Sequence, residues 1–142
     1  MRILGLDVGT KRIGVSLSDG LLITAQGLDT VYRQDLKSDL EVICNIVRTN
    51  DVTEIVAGLP LNMNGTYSLK TKEVVAFIDR LAEVAGVPVK TWDERLTTVQ
   101  AERALLEADI SRAKRRRAVD KLAAQMILQS YLDSRKKGQN NV

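Results

Sequence analysis

The 142-residue chain predicts one α/β domain of three layers, in which helices cover both faces of a mixed β-sheet. Residues 2–30 read as three consecutive strands, and the rest of the chain alternates between helical and strand periodicity. No Pro- or Ser-rich linker divides the sequence. This order favours a parallel core joined by helical crossovers, with an antiparallel hairpin at one edge.

Three strands are expected at the N-terminus. The first covers about Arg2–Val8 and ends at a tight turn, Gly9–Arg12, and the second covers Ile13–Ser18. The dipeptide Asp19-Gly20 is a hairpin signal, and Leu21–Thr30 reads as the third strand. These strands predict an antiparallel meander.

Helix and strand patterns alternate in the middle of the chain. Apolar residues recur at helical spacing from Asp35 to about Asn50, and residues 54–58 read as a short buried strand. A loop rich in Pro, Asn and Gly follows at 59–68, and a second, long helix ends near Gly86. These elements supply the first crossover of the predicted sheet.

The C-terminal part is expected to add one strand and two helices. Val87–Trp92 reads as the fifth strand and is followed directly by two acids. Capping-box spacing predicts a helix from Thr97 to about Leu106. Residues 107–117 are polar and ambiguous, and a final helix is expected from about Ala118 to about Asp133.

Composition excludes several classes of function. The chain has no histidine and a single cysteine, Cys44, which excludes His-based triads, His metal ligands, Cys-cluster metal sites and an internal disulfide. No apolar stretch approaches the roughly 20 residues needed to span a bilayer, and a strand pattern begins at the N-terminus, so we expect no membrane partner and no signal peptide. We expect residues 1–142 to form one domain, with a basic, polar tail from about residue 134.

Three acids lie in apolar surroundings, where a carboxylate needs a counter-charge or a hydrogen-bond donor. Asp7 lies inside an apolar strand, where a buried, unpaired carboxylate is costly, and Glu94 follows the fifth strand. The apolar side of the last helix carries Asp120 together with Ala123, Ala124, Ile127, Leu128 and Tyr131. Because ligands collect beyond the carboxyl ends of parallel strands, we expect these acids at one rim of the sheet.

A divalent cation is the simplest way to keep three crowded carboxylates charged. Oxygen ligands favour Mg²⁺ or Mn²⁺, and one or two such ions activate water for phosphodiester cleavage without histidine. Structural alternatives exist for each acid. Asp7 could pair with Lys11 or Arg12. Glu94 could be an exposed strand end, and Asp120 could be the N-cap of the last helix.

Three basic residues near this rim are candidates for nucleic-acid contacts. Lys11 and Arg12 lie in the turn after the first strand, where an entering phosphate would meet them. Arg95 offers a fork for a phosphate or for a neighbouring acid. Asp93 competes with Glu94 as metal ligand, because adjacent strand residues face opposite ways, and we favour Glu94.

The net charge of +3 is unevenly distributed. Runs of Lys and Arg at residues 114–117 and 135–137 flank the last predicted helix. The first run contains Arg115, Arg116 and Arg117, which are candidates for contacts with a polyanion. The second run is also explained by basic residues that favour the C-terminal end of a helix dipole.

Four segments resemble, in the same order, the motifs of the YqgF family, also called RuvX. They are Leu6–Val15, Gly58–Gly65, Asp93–Thr98 and the helical segment Asp120–Leu132. The resemblance spans nearly the whole chain, and four motifs in this order are highly specific. Members of the family are described as candidate nucleases of pre-16S rRNA and as Holliday-junction-resolvase-like proteins.

The resemblance implies a ribonuclease H-like fold, with a five-stranded sheet in the order 3-2-1-4-5 and strand two antiparallel. It implies that Asp7, Glu94 and Asp120 are the catalytic, Mg²⁺- or Mn²⁺-binding acids. The expected activity is hydrolysis of phosphodiester bonds in structured RNA, during 5′-end processing of pre-16S rRNA in the cytoplasm. We expect a monomer or a homodimer.

Three other functions stay open at this point. Cleavage of branched DNA would use the same fold and a symmetric dimer, because two opposed strands must be cut. The segment Asp7-Val8-Gly9-Thr10 also resembles the phosphate loop of actin-like and Hsp70-like ATPases and sugar kinases, but those proteins need two such lobes around a nucleotide. The third is a non-catalytic module of the same fold that binds RNA or protein.

Overall fold

A computed structural model describes residues 1–96 and 112–140, with the side chains of residues 1–96 and 120–136. The strands are β1 (Arg2–Val8), β2 (Arg12–Ser18), β3 (Ala25–Gly27), β4 (Val31–Tyr32), β5 (Val52–Leu59) and β6 (Val89–Asp93). The helices are α1 (Leu36–Thr49), α2 (Leu69–Val84) and α3 (Arg112–Asn140), with one 3₁₀ turn at Glu94–Leu96. None of the described helices has the length and apolar character needed to cross a membrane.

The strands form one mixed sheet in the order β3-β2-β1-β5-β6, and β4 pairs with the other end of β2. β1 is antiparallel to β2 and parallel to β5, and β5 is parallel to β6. The predicted fold class and the antiparallel second strand are confirmed. The sheet differs from the prediction in having six strands instead of five.

The extra strand arises because the predicted third strand, Leu21–Thr30, is wrong in extent. The carboxylate of Asp19 accepts hydrogen bonds from the backbone nitrogens of Ile23 and Thr24, at 2.7 and 3.1 Å. Leu22 adopts a positive φ of 59° in the same loop. Residues 19–24 are therefore held as a loop, and two short strands, β3 and β4, replace the single long one.

The two faces of the sheet bury different side chains, because alternate residues of a strand point to opposite sides. One face packs under α1 and α2 and forms the larger core, which includes Leu4, Leu6, Ile13, Val15, Ile55, Phe77 and Leu81. The other face packs under α3 through a smaller cluster, which includes Ile3, Val56, Leu128 and Leu132. Strand residues that share this second face therefore meet α3.

The first two helices lie where the periodicity predicts them. The side chain of Asp35 caps α1 by accepting a hydrogen bond from the backbone nitrogen of Ser38 at 2.8 Å. Ser68 and Thr71 form a capping box at the start of α2. Gly86, with φ of 71°, follows the end of α2, as expected of a glycine stop signal.

The last helix is longer than predicted. α3 begins at Arg112, before the expected start at Ala118, and continues to Asn140. The basic run at 114–117 therefore lies inside the helix and does not precede it. Because about two turns of α3 come before Asp120, the alternative that Asp120 is the N-cap is wrong. The helix predicted from residue 97 to about residue 106 lies outside the described residues.

Glu54 of β5 ties α3 to the sheet. Its carboxylate accepts hydrogen bonds from Oη of Tyr131 at 2.9 Å and Nη1 of Arg135 at 2.8 Å, and Nζ of Lys90 lies 2.7 Å away. Glu54 is buried, and Arg135 also lies over the ring of Tyr131. Arg135, from the second basic run, therefore has a structural role in this group.

We predict that the Glu54 group makes the protein sensitive to alkaline pH. The hydrogen bond to Glu54 raises the pKa of Lys90, and burial together with the bond to Glu54 raises the pKa of Tyr131. Both protons are held more tightly in the folded chain, so their stabilisation is complete below about pH 10 and is lost as pH rises through the folded-state pKa values. Urea unfolding between about pH 8 and pH 11 measures this decline.

Glu54→Gln should lower the free energy of unfolding at neutral pH by about 1–3 kcal/mol, because three partly exposed donors lose the charge of their buried acceptor. Its alkaline decline should also be shallower than that of the wild type. Glu83→Gln is the matched control, since Glu83 pairs with Arg80 on the exposed surface of α2. Equal alkaline slopes in all three proteins would contradict the assignment.

Candidate active site

Asp7 lies near the end of β1, on the face of the sheet that α3 covers. Its neighbour Leu6 enters the core under α1 and α2, so Asp7 points to the opposite side. In the ladder with β2, Asp7 is the partner of Gly14. In the ladder with β5, Leu6 is the partner of Ala57, and Gly58 comes next. Asp7 therefore lies between two glycines.

Glu94 lies directly after β6, at the first position of the 3₁₀ turn, and is only 4% exposed. Its Cγ and Cδ atoms lie 3.2 and 3.3 Å from the position that a Cβ atom on Gly58 would occupy. Because Gly58 has no side chain, Glu94 folds back across the end of β5. The carboxyl group is thus above the strand next to β1, on the same face as Asp7.

Asp120 approaches from α3 on the other side of Asp7. Its backbone carbonyl oxygen contacts Gly14 so closely that a Cβ atom on this glycine would overlap it. Its carboxylate accepts a hydrogen bond from Nε of Arg12 at 2.6 Å, and 17% of the side chain is exposed. Arg12 is therefore the counter-charge of Asp120 in this structure.

The three predicted acids thus lie over adjacent positions of one row that crosses three neighbouring strands. We define the acid row as Gly14, Asp7 and Gly58 together with the two acids above its ends. Asp120 lies above Gly14, and Glu94 lies above Gly58. Strands in a sheet lie about 4.8 Å apart, so the row spans about 10 Å. Within residues 1–96 and 120–136, no group of three His, Cys, Asp or Glu side chains is arranged to hold a metal ion. The carboxylate of Asp120 is paired with Arg12 in this structure.

The turn between β1 and β2 is held by Arg33, a residue that the sequence analysis does not single out. Within the turn, the backbone nitrogen of Gly9 donates to the carbonyl of Arg12 at 2.9 Å. Nη1 of Arg33 donates to the carbonyl of Gly9 at 3.0 Å, and its backbone nitrogen donates to the carbonyl of Lys11 at 2.9 Å. The exposed Lys11 and its neighbour Arg12 are thereby fixed beside Asp7.

Arg33 is in turn held by Asp39, in the first turn of α1. Its Nε lies 3.1 Å from Oδ2 of Asp39, and Oδ1 accepts from the backbone nitrogen of Gln34 at 3.0 Å. The guanidinium group also lies 5.0 Å from the centre of the Phe77 ring. Asp39 is only 3% exposed. Like Asp120, it is an acid on the buried side of a helix, and this pattern could have identified it from the sequence.

Arg95 is bound by its neighbour Asp93. Nε of Arg95 lies 3.1 and 3.0 Å from the two carboxylate oxygens, and Nη2 lies 2.7 Å from one of them. Nη1 donates to the carbonyl of Met63, and the hydrogen bond from Arg95 lowers the pKa of Asp93. Asp93 therefore has its own counter-charge, whereas Glu94 faces the acid row. A contact between Arg95 and nucleic acid stays a prediction.

Arg115, Arg116 and Arg117 lie in α3 about one turn before Asp120. Their side chains are outside the described residues. The contacts with nucleic acid assigned to these arginines therefore stay predictions.

Sequence comparison relates nearly the whole chain to one family. The model of the RuvX family, described as Holliday junction resolvase, matches residues 1–134. A protein of Symbiobacterium thermophilum named "Putative pre-16S rRNA nuclease" is 55% identical over 135 residues, which cover 95% of this chain and 94% of the relative. A protein of Myxococcus xanthus with the same name is 53% identical over 134 residues, which cover 94% of this chain and 89% of the relative.

Solved structures of junction resolvases share the fold. T. thermophilus RuvC in complex with a Holliday junction substrate has a TM-score of 0.61 and 15% sequence identity, with 96% of each chain covered. The fowlpox virus Holliday junction resolvase has a TM-score of 0.55 and 14% identity, with 94% of this chain and 99% of that chain covered. At these identities the similarity shows the fold alone, and it confirms the ribonuclease H-like architecture.

We predict that a methyl group at Gly14 disturbs the acid row. In Gly14→Ala the new Cβ atom meets the backbone carbonyl of Asp120, so α3 has to move away from β2. Overpacking of this kind should lower the free energy of unfolding by about 1–3 kcal/mol in urea titrations. In the control Gly20→Ala, no described atom lies within 4 Å of the new Cβ, and the change should stay within about 0.5 kcal/mol. Equal effects of the two substitutions would contradict the close approach of α3.

A double-mutant cycle tests the coupling between Arg33 and Asp39. We predict that Arg33→Leu and Asp39→Asn are each destabilising, because the first leaves the buried Asp39 without its counter-charge and the second does the same to the partly buried Arg33. The double variant should be less destabilised than the sum of the two single variants, with a coupling of about 1–3 kcal/mol in urea unfolding. Strict additivity would show that the pair does not clamp the turn.

Proposed function

The chain belongs to the RuvX family, and on that basis we propose that it is a metal-dependent endonuclease that acts on structured RNA. The family description and the names of the relatives indicate a nuclease, which is a hydrolase of phosphodiester bonds. Both relatives are named for pre-16S rRNA. We therefore assign the reaction to 5′-end processing of pre-16S rRNA in the cytoplasm.

The acid row is the observation that carries this proposal. Asp7 from β1, Glu94 from the end of β6 and Asp120 from α3 are far apart in the sequence but occupy adjacent positions on one face of the sheet. Each is held there by close packing against the backbone or by a strand ladder. A structural role alone would not require three acids from three elements to meet at one rim.

The donor chemistry of these acids fits Mg²⁺ or Mn²⁺. All three donors are carboxylate oxygens, which hard divalent cations prefer, and the chain has no histidine. When bound, such an ion activates water and stabilises the leaving oxygen of a phosphodiester. It would also replace Arg12 as the counter-charge of Asp120.

The residues of the chain have two tasks in this proposal. Asp7, Glu94 and Asp120 hold the cation. Arg12 and Lys11, fixed in the turn beside Asp7, bind the phosphates of the substrate. Contacts of this type supply affinity that depends on salt and is independent of base sequence. The shape of the folded RNA would then select the cleavage site.

Holliday junction cleavage is the second candidate, and the description of the family favours it. Because two opposed strands must be cut, this activity requires two active sites and therefore a symmetric dimer. Light scattering of the protein on a four-way DNA junction separates the two candidates. A strict monomer on the junction would count against the resolvase.

We predict that Asp7→Asn abolishes cleavage of an RNA that contains the 5′ segment of precursor 16S rRNA, assayed with Mn²⁺. The cleavage rate should fall at least about 100-fold. Mutation of a residue that only supports a metal ligand already lowers metal affinity or activity by about 10–100-fold. EDTA should abolish the wild-type activity, and Mn²⁺ or Mg²⁺ should restore it. Product analysis on denaturing gels measures all of these rates.

The matched control is Asp93→Asn, because Asp93 also ends β6 but is bound by Arg95. It should keep activity within a few-fold of the wild type, whereas Glu94→Gln should lose activity as Asp7→Asn does. Equal rates for wild type and Asp7→Asn would remove Asp7 from catalysis. RNA binding without cleavage by the wild type, and without any effect of metal, would favour a non-catalytic binding module.

A further inference from the structure

A pocket opens beside the acid row, on the side of β2 that faces β4. It has a volume of about 310 Å³ and is lined by Leu28, Asp29, Thr30, Tyr32 and Lys121. We call it the Tyr32 pocket. Its volume is at the lower end of the range for small-molecule sites, about 300–1,000 Å³, which suits one nucleotide.

The Tyr32 pocket adjoins the acid row through Arg12. Arg12 of β2 and Tyr32 of β4 are partners in the antiparallel ladder, so their side chains project to the same face. Arg12 also binds the carboxylate of Asp120, and Lys121 is the next residue of α3. Arg12 therefore links Tyr32 of the pocket to Asp120 of the acid row.

Tyr32 presents an exposed aromatic ring in this position. Its side chain is 58% exposed, although Val31 beside it is packed against the core. Of the five aromatic residues, Phe77 is buried, and Trp92 and Tyr131 pack against each other under α3. Because Tyr32 is not needed for this packing, its ring is available to stack on a base.

The side chain of Lys121 lies against the pocket wall because Gly27 has no side chain there. Its Cε and Cδ atoms lie 2.8 and 3.1 Å from the position that a Cβ atom on Gly27 would occupy. The aliphatic stem thus lies flat on β3. Asp29 brings a carboxylate to the same lining. A lining with both charges fits a base and sugar with one phosphate better than it fits a phosphate alone.

We propose that the Tyr32 pocket binds one nucleotide of the polynucleotide substrate, next to the phosphate that enters the acid row. The base stacks on Tyr32, the ammonium group of Lys121 contacts the adjoining phosphate, and Asp29 accepts a hydrogen bond from the base or from a ribose 2′-hydroxyl. The inference rests on the proposed nuclease function for the identity of the substrate. It adds a positioning site for one unpaired nucleotide.

The test measures binding separately from cleavage. All variants carry Asp7→Asn, so that the RNA stays intact, and the probe is a fluorescein-labelled RNA stem-loop with a single-stranded extension, followed by anisotropy at one salt concentration. Tyr32→Leu should weaken binding by about 5- to 100-fold, and Tyr32→Phe, which keeps the ring, should stay within about twofold. Tyr67→Leu is the matched control, because Tyr67 is 52% exposed but does not line the pocket.

A second measurement reports on stacking itself. 2-Aminopurine placed at successive positions of the extension should be quenched at one position by the parent, and this quenching should be lost in Tyr32→Leu. Lys121→Met keeps the stem on Gly27 and should lower the slope of log affinity against log salt by about 0.7–0.9, whereas Lys37→Met on α1 should not change it. Thermal melts check that the exposed substitutions leave the fold intact.

The outcomes separate this inference from the proposed function. If Tyr32→Leu binds as tightly as the parent, or if Tyr67→Leu loses as much affinity, the pocket assignment is overturned while the nuclease stands. If the wild type does not cleave RNA but Tyr32→Leu weakens binding, the nuclease is overturned while the pocket stands. Absence of RNA binding by the parent would overturn both.

Discussion

The close approach of α3 to the sheet is the constraint on which the rest of the structure depends. A Cβ atom on Gly5 would lie 2.8 Å from Cβ of Leu128, and one on Gly58 would lie 2.5 Å from Cδ1 of Ile127. Ser16 of β2, another small residue, donates a hydrogen bond to the carbonyl of Ala124 in α3 at 2.7 Å. Small residues on three strands thus let the helix lie directly on the sheet backbone, and this fixes where its acid, Asp120, meets Gly14 and Arg12 of β2.

Three carboxylates in the described part of the chain are paired with arginines, and they differ in whether the pair joins structural elements or lies at the candidate site. Asp39 and Glu54 are each bound by arginine, and both tie a helix or turn to another element. Asp120 is also bound by an arginine, but Arg12 lies at the rim of the sheet, beside the turn that carries Lys11. Because a divalent cation and a guanidinium group satisfy the same oxygens, this is the pair in which the proposed metal ion would replace the arginine.

Periodicity identified most of the helices and strands, and it failed where local polar contacts decided the backbone. Residues 21–30 have a strand pattern, but the carboxylate of Asp19 holds the start of that segment as a loop. Residues 107–117 carry no apolar pattern, so the start of α3 could not be located from the sequence. Arg33 was missed because its importance comes from the turn and the helix it joins, which periodicity does not report.

The sequence by itself determined the residues on which the proposed chemistry rests: three acids at strand ends and on an apolar helix face, no histidine, and four motifs in family order. Only the tertiary structure decided that Glu94 folds over Gly58, that Asp120 is bound by Arg12, and that a pocket opens beside them. The physical reason is that the alternation of side chains along a strand tells which face a residue occupies. Which atoms fill the space above Gly5 or Gly14 depends on α3, which is more than 100 residues away in the chain.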